Sequence, residues 1–259
     1  MTAVLLGLAG SAERASAARV EVEGDRFVYS AEKGERNAIS ISGEADMFVI
    51  RDAVAIKAVA PCTLIETRQA ICPARGVERL AVDADDEDDS VSIDNVTPPA
   101  AVVGGSGNDR ITGGDGGDLL VGLSGNDVLA GRAGPDQLRG GPGNDTLTGG
   151  AGQDSIQTDA GADSLDGGPD VDRLSYADRY ERVDVTLDGV ANDGYWGEGD
   201  NVRATVEEIH GGGAGDFISG ARPAASSDPG MQLRERGETT CWREGSATTS
   251  SMEAAGTTT

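Results

Sequence analysis

The sequence predicts an all-β chain organised mainly as a solenoid of nonapeptide repeats, and three observations carry that expectation. Aspartate recurs at every ninth position from Asp109 through Asp118, Asp127, Asp136, Asp145, Asp154 and Asp163 to Asp172. Two residues after each stands an aliphatic side chain, in order Ile111, Leu120, Leu129, Leu138, Leu147, Ile156, Leu165 and Leu174. Glycine opens seven of these eight units, Thr158 taking its place in the other. A fixed period over so many copies marks a stacked repeat, in which no unit buries its apolar face alone. A flexible Gly/Asp-rich linker would have no reason to hold leucine and isoleucine in phase.

One unit shows the chemistry. In GGSGNDRIT, from Gly104 to Thr112, the glycines admit positive φ and close backbone approach, so the chain can curl with its carbonyls turned inward. Asp109 closes the turn with a hard anionic oxygen. Arg110, Ile111 and Thr112 alternate polar, apolar, polar, which suits a very short strand with one buried side chain. Stacked copies align the aliphatic residues into a thin core and bring carboxylates close enough to repel unless a cation lies between them. Ca²⁺ suits such a place best, because it accepts roughly six to eight oxygens, backbone carbonyls included, in loose geometry. Mg²⁺ wants a tighter octahedron, and zinc wants His or Cys that this segment lacks.

On these residues the chain resembles the RTX family, the haemolysin-type calcium-binding repeats of secreted bacterial proteins. The resemblance implies a right-handed parallel β-roll preceded here by a small β domain, with two nonapeptides per coil and several bound Ca²⁺ ions. Each ion would lie between an Asp of one unit and the Asp two units on, pairing Asp109 with Asp127, Asp118 with Asp136, Asp127 with Asp145, and so on. It covers residues 104–175, and Gly211 to Ser219 forms a lone further copy around Asp216. The implied ligands are therefore the eight ladder aspartates and Asp216. Backbone carbonyls of Gly105, Gly107, Gly114, Gly116, Gly125, Gly134, Gly141, Gly143, Gly150 and Gly152 would complete the shells. Departures cluster late. Thr158-Asp159 replace a Gly-Gly pair, Asp170 replaces a turn glycine, and Ala162 and Val171 occupy turn positions, so the units opening at 158 and 167 are expected to be the poorer sites. Leu123, Arg132 and Pro135 are milder departures.

The remaining segments are read in chain order. Residues 1–17 have the form of a signal peptide, with an apolar stretch from Ala3 to Ala9 and a small-residue cleavage site at Ala15-Ser16-Ala17, although no Lys or Arg precedes the stretch. Residues 18–97 are expected to form a small β domain. Val20 to Val22, Arg26 to Tyr29, Ala38 to Ile41 and Phe48 to Ile50 are β-branched or alternating, broken by Gly24, Gly34 and Gly43. Cys62 and Cys72 bracket TLIETRQAI, consistent with a disulfide in an oxidising compartment. Val77 to Ile93 ends in a degenerate cousin of the repeat, Asp89-x-Val91, with Asp85 to Asp88 in place of the glycines; this acidic run could bind Ca²⁺ weakly or be a solvated edge, the edge being the favoured reading.

Residues 98–175 are the calcium roll, and residues 176–210 are a longer-stranded excursion with Arg182 to Leu187 as its strand. Its Gly-rich loop carries Asp193, Glu198, Asp200 and Asn201, which could hold a cation or simply make a polar hairpin. Residues 211–220 are one more repeat. Residues 221–259 change character, and codon degeneracy allows their gene sequence, read one base out of frame, to spell further GGxGND turns in the nine-residue phase. The preference for arginine over lysine, 19 to 2, fits the GC-rich codons this requires. The tail is accordingly expected to be a frameshifted continuation of the array, with Cys241 an odd thiol without function.

Composition bounds the function. A formal charge of −24 and 3% aromatic residues leave the chain poorly able to collapse unaided, so calcium binding and folding are expected to be linked. The same charge argues against DNA, RNA or anionic membrane as partners, since there is no basic patch to release counterions. No apolar run of about 18 residues is present to span a membrane. An enzyme is not expected: there is no HExxH, no Gly-x-Ser-x-Gly, and His210 is the only histidine. The expected function is a secreted calcium-binding protein of structural or adhesive type, its partners calcium and a cell surface or polysaccharide. The alternative is the calcium-dependent C-terminal module, or a degenerate relative, of an extracellular RTX hydrolase.

Overall fold

From Ile111 to Ile156, each ladder leucine or isoleucine lies directly beneath its counterpart eighteen residues on, as Leu129 pairs with Leu147 and Leu138 with Ile156 in parallel register. The structure is a computed structural model that describes residues 17–44, 46–177, 180–212 and 216–219, with the backbone of strands Gln232–Arg234 and Cys241–Trp242. The leader expected at 1–17 therefore lies outside the described residues except for Ala17, and the aberrant tail does so except for those two strands.

Successive nonapeptides alternate between two sheets, so one coil is two units. One sheet holds Ala100–Ser106, Leu119–Ser124, Gln137–Arg139, Ser155–Gln157 and Arg173–Ser175 in parallel order. The other holds Arg110–Thr112, Val128–Ala133, Thr146–Ala151 and Ser164–Asp166. Several of these strands are only three residues long with the central one buried. The nine-residue period and the two-residue strand alternation thus agree on one inward side chain per unit. These side chains merge into one continuous apolar core running the length of the molecule.

Both sheets continue into the amino-terminal part, so residue 97 divides repeat from non-repeat sequence but not one sheet from another. Arg26–Ser30 pairs in parallel with Arg79–Asp83, which pairs with Ala100–Ser106. Ala38–Glu44 pairs in parallel with Ser90–Asp94, which pairs with Arg110–Thr112. Beyond them the pairing turns antiparallel: Ala18–Glu23 folds on Arg26–Ser30, Ala38–Glu44 on Met47–Arg51, and Met47–Arg51 on Gln69–Pro73. Larger buried side chains fill this wider end, with Phe27 and Phe48 meeting edge to face at 5.7 Å. A disulfide joins Cys62 to Cys72, the pair the sequence singles out. The antiparallel hairpins close the end of the stack, where an open parallel edge would invite pairing with another chain.

At the other end the register is interrupted and restored. Leu165 pairs with Val202 and Leu174 with Ile209, skipping an excursion that forms a third sheet from Val183–Val185, Gly194–Tyr195 and Phe217–Ile218. The excursion's strand is shorter than the alternation from Arg182 to Leu187 suggests, because the Thr186 N–H turns to Asp193 Oδ1 (2.6 Å) and Leu187 adopts φ +43°. The two tail strands extend the sheets, Gln232–Arg234 on Glu208–His210 and Cys241–Trp242 on Phe217–Ile218, both in parallel.

Leu147 is fully buried between Leu129 and Leu165, so Leu147→Ala is expected to cost about 2–5 kcal/mol of unfolding free energy in a urea titration with calcium present. Leu119→Ala, on a side chain 43% exposed, should stay within about 0.5 kcal/mol of the parent.

Candidate metal centre

In most turns the second and fourth residues take positive φ, as Gly141 at +99° and Gly143 at +147° do, whereas Gly114 and Gly116 do not. A side chain at Gly143 would collide with the carbonyl oxygen of Gly125, one coil earlier. At the second place Leu123 and Arg132 adopt φ of +83° and +81° in glycine's stead. Their side chains escape outward: Leu123 is exposed, and Arg132 reaches the Ile93 carbonyl (3.0 Å) and the Asp94 carboxylate (2.8 Å).

The turns bring the aspartates together in two ladders. In the first, the N–H of Asp109 donates to Asp127 Oδ1 (2.8 Å), that of Asp127 to Asp145 (2.7 Å), and that of Asp145 to Asp163 (2.9 Å). In the second, Asp118 donates to Asp136 (2.7 Å), Asp136 to Asp154 (2.8 Å) and Asp154 to Asp172 (2.8 Å). All eight side chains are buried. A parallel set of rungs runs the other way, from the N–H of Asn126 to Asn108 Oδ1 (2.9 Å) and from that of Asn144 to Asn126 Oδ1 (2.8 Å).

One carboxylate oxygen is thus satisfied and the other is not. Among the described residues, Oδ2 of Asp89, Asp109, Asp127, Asp136, Asp145, Asp154 and Asp172 is buried without a hydrogen-bond partner. Two ladder members differ. Asp118 Oδ2 accepts from the Gly114 N–H (2.7 Å), and Asp163 Oδ2 accepts from the Thr158 hydroxyl. Where the oxygen is unsatisfied in the array, the glycine that opens the unit leaves room beside it. A Cβ on Gly122 would fall against Asp127 Oδ2 and 2.7 Å from the Gly140 carbonyl oxygen; one on Gly131 would fall against Asp136 Oδ2 and 2.5 Å from that of Gly149.

An ionised carboxylate buried with an unpaired oxygen is costly. Burial accordingly pushes the Asp109 carboxyl up to about 6 and those of Asp136, Asp145 and Asp172 up to about 7. The ladder N–H works against this shift, while neighbouring carboxylates such as Asp118 and Asp154 on either side of Asp136 add to it. Asp118, Asp127 and Asp154 are raised by the same cause. A hard divalent cation removes the conflict, since it supplies charge where no donor is present. Among the described residues no three acidic, His or Cys side chains converge, so such an ion must draw on backbone carbonyls as well. That mixed oxygen set suits Ca²⁺. The donors present fit the ion the repeat implies.

Several turn carbonyls face the neighbouring coil. Those of Gly107, Gly116, Gly125, Gly134, Gly143 and Gly150 lie against the glycine one coil on. The carbonyls of Gly140, Gly149 and Gly167, each opening a unit, border the same spaces as the unsatisfied Oδ2 of Asp127, Asp136 and Asp154. Asp216 sits apart from both ladders, its Oδ1 accepting from the Val183 N–H (3.1 Å) beside the third sheet.

Three further ladder members were missed as such. Asp89, read as part of a solvated edge, is buried, accepts from the Asn37 N–H (2.6 Å) and donates its own N–H to Asp109 (2.8 Å). Asp200 accepts from the Asp163 N–H (2.9 Å), and Glu207 Oε2 from the Asp172 N–H (3.0 Å). Each precedes its apolar residue by two, as Asp89-x-Val91, Asp200-x-Val202 and Glu207-x-Ile209, so the signal was present without the glycines. The loop carboxylates are satisfied by hydrogen bonds. Asp193 accepts from Thr186 and the Val202 N–H (2.8 Å), Glu198 from the N–H groups of Gly161 (3.2 Å) and Tyr195 (3.1 Å), and Asp200 Oδ2 from the Tyr176 hydroxyl (3.0 Å).

Compared with known proteins, residues 103–138 and again 139–174 match the family model of the RTX calcium-binding nonapeptide repeat, a model spanning four copies. No curated protein matches the chain.

Two outcomes follow from the ladder. Folded carboxyls titrating near 6 to 7 hold protons that the unfolded chain, titrating near 4, has lost. The melting temperature of metal-free protein should therefore fall as pH rises from about 4 to about 7, and saturating calcium should remove the fall. Asp127 accepts from Asp109 and donates to Asp145, so in calorimetric titration Asp127→Ala should abolish more calcium binding than Asp118→Ala, whose Oδ2 is already bonded.

Proposed function

We propose that this chain, whose residues 103–174 match the RTX calcium-binding nonapeptide repeat, is a calcium-binding β-roll protein that acts outside the cell as a structural or adhesive element whose roll is completed by calcium. One observation carries the reading: among the described residues, seven buried aspartate oxygens lack a hydrogen-bond partner, in a chain of net charge −24. Without a cation the coils repel along the axis in which they must stack. With calcium the same carboxylates become ligands, so binding and folding are one equilibrium. Inside a cell, where free calcium is scarce, the chain stays unfolded and fit for export; outside, the ion drives the roll shut.

The disulfide between Cys62 and Cys72 supports an oxidising destination. Two aromatic side chains stand almost wholly free on the excursion, Trp196 at 91% and Tyr180 at 90% exposure, and they support a contact role. We assign the chain no catalytic step.

Circular dichroism of the full chain tests the switch. Metal-free protein should gain β signal on addition of millimolar Ca²⁺ and lose it with chelator, while millimolar Mg²⁺ should leave it largely unchanged. A metal-free chain as ordered as the calcium-loaded one would defeat the proposal.

A further inference from the structure

The excursion rejoins the roll at two places, and they are closed by different chemistry. At the first, Asp200 takes the ladder position after Asp163. Every carboxylate oxygen there has a protein donor: Asp200 Oδ1 has the Asp163 N–H, Asp200 Oδ2 the Tyr176 hydroxyl, and Asp163 Oδ2 the Thr158 hydroxyl. This closure is complete as hydrogen bonds alone.

The second is not. Glu207 takes the ladder position after Asp172, its Oε2 accepting the Asp172 N–H at 3.0 Å, and the Glu207 and Glu208 N–H groups return to the Asp172 carbonyl (3.2 and 2.9 Å). Asp172 is fully buried, yet its Oδ2 has no partner. Beside that oxygen is a space that a side chain at Gly167 would fill, bounded on its other side by the Thr205 carbonyl oxygen at 2.6 Å from the missing Cβ. The space is the one found beside Asp127 and Asp136 within the array, but its far wall comes from residues beyond the matched repeats, which end at residue 174. Thr205 is itself held in place, its hydroxyl accepting from the Gly167 N–H (3.0 Å) and donating to Asp166 (2.8 Å).

We propose that Asp172, the Thr205 carbonyl and Glu207 form a calcium site that latches the excursion onto the end of the roll. The inference rests on the calcium reading of the array and assigns a ligand role to two residues outside it. Calcium then does two things in this chain: it closes the coils, and it fixes the returning segment between Asp200 and Glu207 against them. The first junction holds the excursion's middle without metal, so removing the ion loosens the segment on its carboxyl side, between Asp200 and Glu207.

The test uses the full chain as Glu207→Gln, which keeps an oxygen for the Asp172 N–H while losing the charge, and Glu207→Asp, which keeps the carboxylate. Calorimetry counts bound calcium, and limited trypsin digestion reads cleavage after Arg203, an exposed residue of that segment paired with Asp166. Wild type and Glu207→Asp should be protected at Arg203 by calcium. Glu207→Gln should bind one ion fewer, or need roughly tenfold more calcium for the same protection, while its calcium-induced circular dichroism persists. Equal stoichiometry and equal protection in Glu207→Gln would overturn the latch while leaving the array intact. So would a loss of stability of the same size with and without calcium, the mark of a hydrogen-bond rung alone. A wild type that binds no calcium would instead defeat the reading on which the latch rests.

Discussion

The structure depends on a carboxylate held by one oxygen. Each ladder aspartate is fixed through Oδ1 by a backbone N–H one coil away, which makes it part of the scaffold, and most present Oδ2 to a buried space with no donor. The first bond sets position; the second oxygen sets demand. A carboxylate with both oxygens bonded would be a structural rung, as Asp163 and Asp200 are. One with neither bonded would turn toward solvent. The half-satisfied state makes the same side chain both spacer and ligand, and it explains why a thin apolar core can coexist with this density of acid.

Core and ladder are coupled by the shortness of the strands. Where a strand is only three residues long, the aspartate just before it and the leucine or isoleucine at its centre are separated by one residue, so neither can shift without the other. A register slip would bury a polar residue and break an aspartate rung at once. The wide antiparallel end with its phenylalanines and disulfide supplies a foundation that needs no metal, from which parallel coils extend without a change of sheet.

Much of this was legible in the sequence because the repeat carries two signals in one phase. The period gave the coil, the aspartates gave the ladder, and the paired cysteines were visible from their bracketing of a strand-like segment. Glycine was the less faithful guide. Reliance on it concealed Asp89, whose turn uses Asp85 and Glu87 at φ +72° and +74° where the array has glycines. It concealed Asp200 and Glu207 too, whose rungs follow an excursion of irregular length. Likewise nothing in residues 18–97 announces that its strands share sheets with the repeats, since parallel pairing between distant segments leaves no local mark.

The direction of the rungs has a consequence for growth. Every ladder aspartate N–H reaches forward to a carboxylate of the next coil, from Asp109 to Asp154 eighteen residues later, while the asparagine rungs reach back. No coil is finished by its own residues, and the roll therefore has a natural quantum of length. Duplicating or deleting a single unit would transfer every later unit to the opposite sheet, yet still set aspartate beneath aspartate. A change of any other length would part acid from acid and leucine from leucine together. Such a molecule can lengthen or shorten over generations by whole units with its chemistry intact, provided the two ends are closed by residues that are not repeats.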